Sequence, residues 1–191
     1  RLDAILLTHQ HNDHIIGLDD VRPFNFMNHS DMPVYCTAPV EKELRKRFAY
    51  IFATQNRYPG APRVRLCRIS KSEAFDVSGL QVQPVEVMHG KMPVLGFRLG
   101  SFAYLTDVRT IAPEELEKLQ GVKHLVLSAL HRREHHSHLT LEQALQLVRQ
   151  ISPERCYLTH LSHSMGRHAD VSEELPPGVA IGYDGLSFET N

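Results

Sequence analysis

Residues 4–14 read Ala-Ile-Leu-Leu-Thr-His-Gln-His-Asn-Asp-His: an apolar run stops at Thr8 and is followed by His9, His11, Asp13 and His14, four candidate metal ligands in six residues. A short apolar run bounded by polar residues marks a buried strand, so residues 2–7 are expected to be a strand with the ligands at its end. At strand periodicity His9 and His11 point the same way and can share one cation. Asp13 and His14 lie on the following turn and can face a second. A solvated polar turn is the ordinary alternative, but H-x-H-x-D-H arises by chance in a chain with 13 histidines only about a few times in a thousand.

Such a motif is half a site, because two cations need about seven or eight ligand bonds between them. Working outward, His89 ends the run Val85-Glu86-Val87-Met88, Asp107 ends Ala103-Tyr104-Leu105-Thr106, and His160 ends Cys156-Tyr157-Leu158-Thr159. Each alone would more often be a surface residue. Three apolar strands that each terminate on a metal-type ligand are instead how a rigid scaffold presents a site at a sheet edge.

The remaining elements indicate an α/β class with sheet inside and helices outside. Strands are expected at 33–37, 64–69, 80–88, 94–99 and 102–106, with Gly79, Gly90 and Gly100 as punctuation. The stretch from residue 64 to 106 reads as a mostly antiparallel sheet. A helix opened by Pro39 covers 40–52, and a loop follows at 58–62. Later come a helix at 113–119, a strand at 124–128, a helix at 140–150 and a strand at 155–159. In the 140–150 helix Leu141, Ala144, Leu145 and Val148 share one face, and Thr140 with Gln143 forms a capping box. Strands at 179–183 and 186–188 flank an Asp184-Gly185 turn. At 191 residues the chain is expected to be one domain, 1–191.

Lys plus Arg number 21 against 22 for Asp plus Glu, so no basic footprint marks a nucleic-acid backbone as partner. No apolar run is long enough to span a bilayer and no signal-like stretch appears, so membrane contact is not expected and the cytoplasm is the expected location. Cys36, Cys67 and Cys156 are odd in number, show no framework spacing and read as buried reduced thiols of a cytosolic protein.

The order T-H-x-H-x-D-H, then His, then L-T-D, then L-T-H resembles the metallo-β-lactamase superfamily along essentially the whole chain. Leu158-Thr159-His160-Leu161-Ser162-His163 and the ending Leu175-Pro176-Pro177-Gly178 through Gly182-Tyr183-Asp184-Gly185 look most like its cyclic phosphodiesterase branch, related to the carbon–phosphorus lyase accessory protein. The resemblance implies an αββα four-layer sandwich that lacks its first N-terminal strands, since relatives carry several dozen residues before this point. It also implies that His9, His11 and His89 hold one metal, that Asp13, His14 and His160 hold the other, and that Asp107 bridges them. Relatives place a non-ligand histidine 22 residues before the last ligand, which is His138 here. It is expected to be the general acid, with Asp13 both ligating and orienting the attacking water.

Two divalent ions, Zn or Mn with Fe also compatible, would lower the pKa of a bridging water towards neutrality and clamp the substrate oxygen. The loop His131-Arg132-Arg133-Glu134-His135-His136-Ser137-His138 is cationic and lacks a large apolar side chain, which favours a small phosphorylated molecule. Arg132, Arg133 and His163 are candidates for holding its anionic group. The expected function is hydrolysis of a small, cyclic phosphodiester. A lactonase or thioester hydrolase is the alternative and a metal-binding module without turnover a second. Duplex nucleic acid is not expected as a partner, and a homodimer is compatible with the sequence.

Overall fold

The computed structural model describes residues 2–190, which fall into two compact units: residues 2–73 with Val77–Gly79, and Ala74–Asp76 with residues 80–190.

The first unit is built on a parallel sheet of β1 (Ile5–Leu6), β2 (Met32–Cys36) and β3 (Val64–Arg68), in that order. Parallel neighbours need crossover connections, and helices provide them. The first crossover holds α1 (Asn12–Ile15), a 3-10 segment (Ile16–Val21) and α2 (Arg22–Asn28), none of which the hydrophobic pattern announced. Pro23 sits in the first turn of α2, where its missing N–H costs nothing, and His29 ends that helix at φ 51°. The second crossover carries α3 (Ala38–Arg47), which stops five residues before its expected end because Phe48 leaves helical geometry. Phe48 and Ile51 then fold inward to join Val34, Cys36, Val40 and Leu44 in the core.

The second unit carries a mixed sheet. In chain order its elements are β4 (Phe75–Val77), β5 (Leu80–His89), β6 (Met92–Leu99), β7 (Phe102–Leu105), β8 (Thr110–Ile111), α4 (Pro113–Glu117), β9 (His124–Ser128), α5 (Leu141–Ile151), β10 (Arg155–Thr159), α6 (His168–Glu174) and β11 (Val179–Ile181). The strand order is β11-β10-β9-β7-β6-β5-β4, with β8 paired to β5. β5, β6 and β7 form an antiparallel meander, whereas β7, β9, β10 and β11 run parallel. The expected antiparallel sheet is thus confined to the meander, and β3 belongs to the parallel sheet of the other unit. Because β6 opposes both neighbours, β5 and β7 point the same way. The C-terminal ends of β5, β7, β9 and β10 therefore share one edge, and this places His89, Asp107 and His160.

Packing explains the meander's tightness. A Cβ on Gly96 would lie 2.7 Å from the Tyr104 carbonyl oxygen and inside the Leu105 side chain, so only glycine admits this approach of β6 to β7. Pro84 interrupts the outer edge of β5. Beside it the Glu115 carboxylate accepts the Glu86 N–H at 2.7 Å, and Lys118 donates to the Pro84 carbonyl at 3.3 Å. α4 thereby satisfies strand groups that would otherwise stay open. On α5 the capping box forms as expected, with Gln143 N donating to Thr140 Oγ1 at 3.2 Å and Thr140 N to Gln143 Oε1 at 3.0 Å. Its buried face is Leu141, Ala144, Leu147, Val148 and Ile151, while Leu145 is half-buried. Each fully buried leucine, valine or isoleucine of that face contributes about 1.5–3 kcal/mol.

Residues 186–188, expected as a strand, pair with no strand among the described residues. Phe188 stacks instead on Tyr157 at 4.8 Å and on His124 at 5.5 Å between ring centroids. Cys36, Cys67 and Cys156 are free thiols; Cys36 and Cys156 are buried as expected, whereas Cys67 on β3 is only half-buried. No helix among the described residues is long and apolar enough to cross a membrane.

Candidate metal centre

In the first unit the ligand motif lies just past β1. His9 is buried at 1% exposure, with its Nδ1 3.0 Å from Thr8 Oγ1. Extended backbone carries the chain to His11, the N-cap of α1, so Asp13 and His14 ride on the first helical turn. The His9 ring lies 4.6 Å from that of His11 and 4.2 Å from that of His14, and His14 Nε2 is 3.2 Å from Asp13 Oδ2. The four residues are therefore gathered by local structure alone. Arg47, from the end of α3, donates to the Asn12 side chain inside the motif and to Glu43 at 3.1 Å.

In the second unit the set is assembled from distant residues. The Asp107 carboxylate is 2% exposed; around its Oδ1 stand His160 Nε2 at 3.5 Å, His138 Nδ1 at 3.7 Å and His89 Nε2 at 4.0 Å. The ligand atoms of Asp107, His138 and His160 all lie within 4.8 Å of one another. Asp107 and His160 both adopt left-handed backbone, φ 56°, a conformation that turns each sharply off the end of its strand. Thr106 Oγ1 donates to Asp107 Oδ2 at 2.7 Å. His89 Nδ1 donates to the Ser137 carbonyl at 2.9 Å, which leaves the lone pair on Nε2 facing Asp107.

A buried carboxylate ringed by imidazoles, with one tautomer already fixed, fits a divalent ion of the Zn, Mn or Fe(II) type. Burial pulls the His138 imidazole down from its ordinary 6.5 to about 4; His89, His160 and His135 push the same way and Asp107 opposes them. His138 is thus neutral at pH 7 in the metal-free protein.

The three residues expected to grip an anion are placed differently from one another. Arg132 is ion-paired to Glu174 at 2.8 Å and donates to the Met165 carbonyl at 3.2 Å, so its guanidinium is committed to α6. Arg133 and His163 are exposed, the latter opening a 3-10 turn, His163–Met165. Sequence reading missed Arg109, which donates to Gln143 Oε1 at 3.3 Å and to Glu134 Oε1 at 3.1 Å and so ties the histidine-rich loop to α5. It also missed Ser128 and Ser137. Their only sequence signal is a small hydroxyl residue at a strand end or before a candidate histidine.

The family model for the β-lactamase superfamily domain matches residues 1–161. Among solved structures the chain is similar to a diphosphatase from the PhnP family, with 36% identity, a TM-score of 0.89, and coverage of 99% of this chain and 72% of that one. It is also similar to the metallo-β-lactamase fold protein YhfI from Bacillus subtilis, at 16% identity and a TM-score of 0.74, over 97% of this chain and 76% of that one. An octanoyltransferase from Porphyromonas gingivalis (strain ATCC BAA-308 / W83) is 43% identical over 186 residues, which are 97% of this chain; the chain spans 37% of that protein's length. The chain therefore belongs to the β-lactamase superfamily, a hydrolase fold, and its α/β architecture is the metallo-β-lactamase fold. Within the superfamily it falls on the PhnP branch.

Proposed function

We propose that the chain is a metal-dependent hydrolase that holds one divalent ion through His9, His11 and His89 and another through Asp13, His14 and His160, with Asp107 common to both. The observation that carries this reading is the buried Asp107 carboxylate with three imidazole nitrogens 3.5–4.0 Å from one of its oxygens. Imidazole nitrogens and a carboxylate oxygen gathered at one buried point are the donor set that a divalent cation takes. When bound, two such ions supply water activated near neutral pH and neutralise charge that develops on the substrate.

The residues do the rest. Asp13, on an exposed helical turn with a carboxylate 64% exposed, orients the attacking water. His138 donates the proton that the leaving oxygen needs, and the negative charge of a bound phosphodiester supports the protonated form that the free site disfavours. Arg133 and His163 offer exposed positive or hydrogen-bonding groups to a non-bridging oxygen, whereas Arg132 supports the fold through Glu174. A small, cyclic phosphodiester is the substrate class we favour, and the similarity to a diphosphatase supports phosphorus as the electrophile. The second reading is hydrolysis of an acyl thioester or lactone at the same centre; a relative named as an octanoyltransferase handles an acyl group, though this chain spans 37% of its length.

The deciding experiment sets cyclic and aryl phosphodiesters and diphosphate esters against lactones and acyl thioesters, on one metal-loaded preparation. The phosphorus esters should turn over, with little rate on β-lactams and none on duplex nucleic acid. A kcat/KM for lactones or thioesters about a hundredfold above that of every phosphorus ester would replace the first reading with the second.

A further inference from the structure

β9 ends on Ser128, which is 1% exposed and whose Oγ accepts the Val108 N–H at 3.1 Å. Val108, itself fully buried, follows Asp107, and its carbonyl accepts the N–H of Leu139 at 2.8 Å, the residue after His138. Leu139 in turn accepts from Leu130 N at 3.0 Å, and Ala129 N donates to the carbonyl of Thr159, the residue before His160, also at 3.0 Å. One buried strand end thus touches the neighbours of Asp107, His138 and His160. Every link but one is backbone to backbone. The exception is the Ser128 hydroxyl, and it holds the residue directly after a left-handed aspartate, where the chain is under the strain that a non-glycine residue meets at φ 56°.

We propose that Ser128 is a positioning residue that fixes the Asp107 turn and, through Val108, the segment bearing His138; this rests on the metal-dependent reading above. The hydroxyl supplies the acceptor that keeps Val108 N–H from being buried and unsatisfied, a loss that would relax the turn rather than unfold the sheet. Its removal acts on metal affinity and on the leaving-group proton together, because both residues hang from the same chain of bonds. Outer partners of this kind change metal affinity by about ten- to a hundredfold when removed.

The test compares Ser128→Ala, Ser128→Thr and, as a control for loss of stability alone, Ile151→Val in the buried face of α5. In metal-free protein, amide hydrogen exchange at Val108 and Leu139 should quicken in Ser128→Ala and return towards wild type in Ser128→Thr. Zinc affinity, read by titration against a competing chelator, should fall about tenfold or more in Ser128→Ala, recover in Ser128→Thr, and stay unchanged in Ile151→Val. Exchange at Val108 and Leu139 that ignores Ser128→Ala would overturn the proposal, as would zinc affinity that Ile151→Val lowers equally. A wild type with no affinity for divalent ions sinks the metal-dependent reading and this role with it, whereas affinity that survives Ser128→Ala sinks the Ser128 role alone.

Discussion

The two units present candidate ligands in opposite ways. In the first, four of them occupy six consecutive residues at the start of a short helix, and neighbours in the chain are neighbours in space. In the second, His89, Asp107, His138 and His160 come from four separate segments, brought to one edge by the parallel run of β7, β9 and β10 and by the meander that aligns β5 with them. Local structure sets the first group and is open to solvent at Asp13. Buried hydrogen bonds set the second, so damage there should be larger and should spread.

The sharpest break follows from Asp107, the one residue assigned to both ions. Asp107→Ala should abolish activity and strip both ions, read by elemental analysis and turnover, whereas His11→Ala in the exposed-side motif should leave partial occupancy. A stable enzyme that keeps full activity with a single ion would refute the shared role. Next in size is His138→Ala, which should lower kcat about a hundredfold with metal content unchanged, the usual worth of general acid catalysis. A nitrophenyl leaving group should feel that change much less than a poor one. Equal losses on both substrates would mean that His138 matters for folding rather than for proton transfer.

The same contrast explains what the sequence made legible. The first motif was readable because its candidate ligands are adjacent, and the candidates His89, Asp107 and His160 were readable because each follows an apolar run at a strand end. The left-handed turns at Asp107 and His160, the ion pair of Arg132 with Glu174 and the Val108–Ser128 bond were not: a backbone dihedral leaves no mark in the residue pattern, and the two contacts join residues 42 and 20 positions apart. The helices of the first crossover escaped for a different reason. α1 and α2 span four and seven residues, too short for a helical period to declare itself, and their polar content resembles loop. The tail failed through competition: residues 186–188 alternate like a strand, yet Phe188 finds an aromatic surface on Tyr157 and His124 instead.

A smaller effect separates the units by their response to acid. In metal-free protein the folded state holds His138 at about 4 while the unfolded chain titrates near 6.5. Between those values the unfolded state binds more protons, so the second unit should lose stability as the pH falls from 6.5 towards 4. Below about 4 the loss should level off, because both states are then protonated. His138→Gln, which cannot be charged, should flatten that slope in denaturant melts at pH 7 and pH 5. A wild-type slope unchanged in the variant would place the acid sensitivity elsewhere.

The smallest effect lies on the first unit, at Glu41 of α3. Its carboxylate accepts from Arg68 at 2.8 Å and from Arg45 at 2.9 Å, and these two guanidinium groups, Arg68 first, hold its pKa below the ordinary carboxylate value. A carboxylate depressed in the folded state stabilises it above the unfolded pKa, and that contribution is lost as the pH falls through the lowered value. The sign is the same as for His138, but the window is more acidic and the partners lie at the surface, where Arg68 is 66% and Arg45 53% exposed. Water and salt screen such pairs. Glu41→Gln should therefore lower the melting temperature at pH 7 by only about 1–2 °C. The difference from wild type should shrink in high salt and vanish once acid has protonated the wild-type carboxylate, with metal content untouched throughout. A larger drop that persists in high salt would mean that Glu41 supports the first unit through packing on α3, and would make this unit less locally held than its compact motif implies.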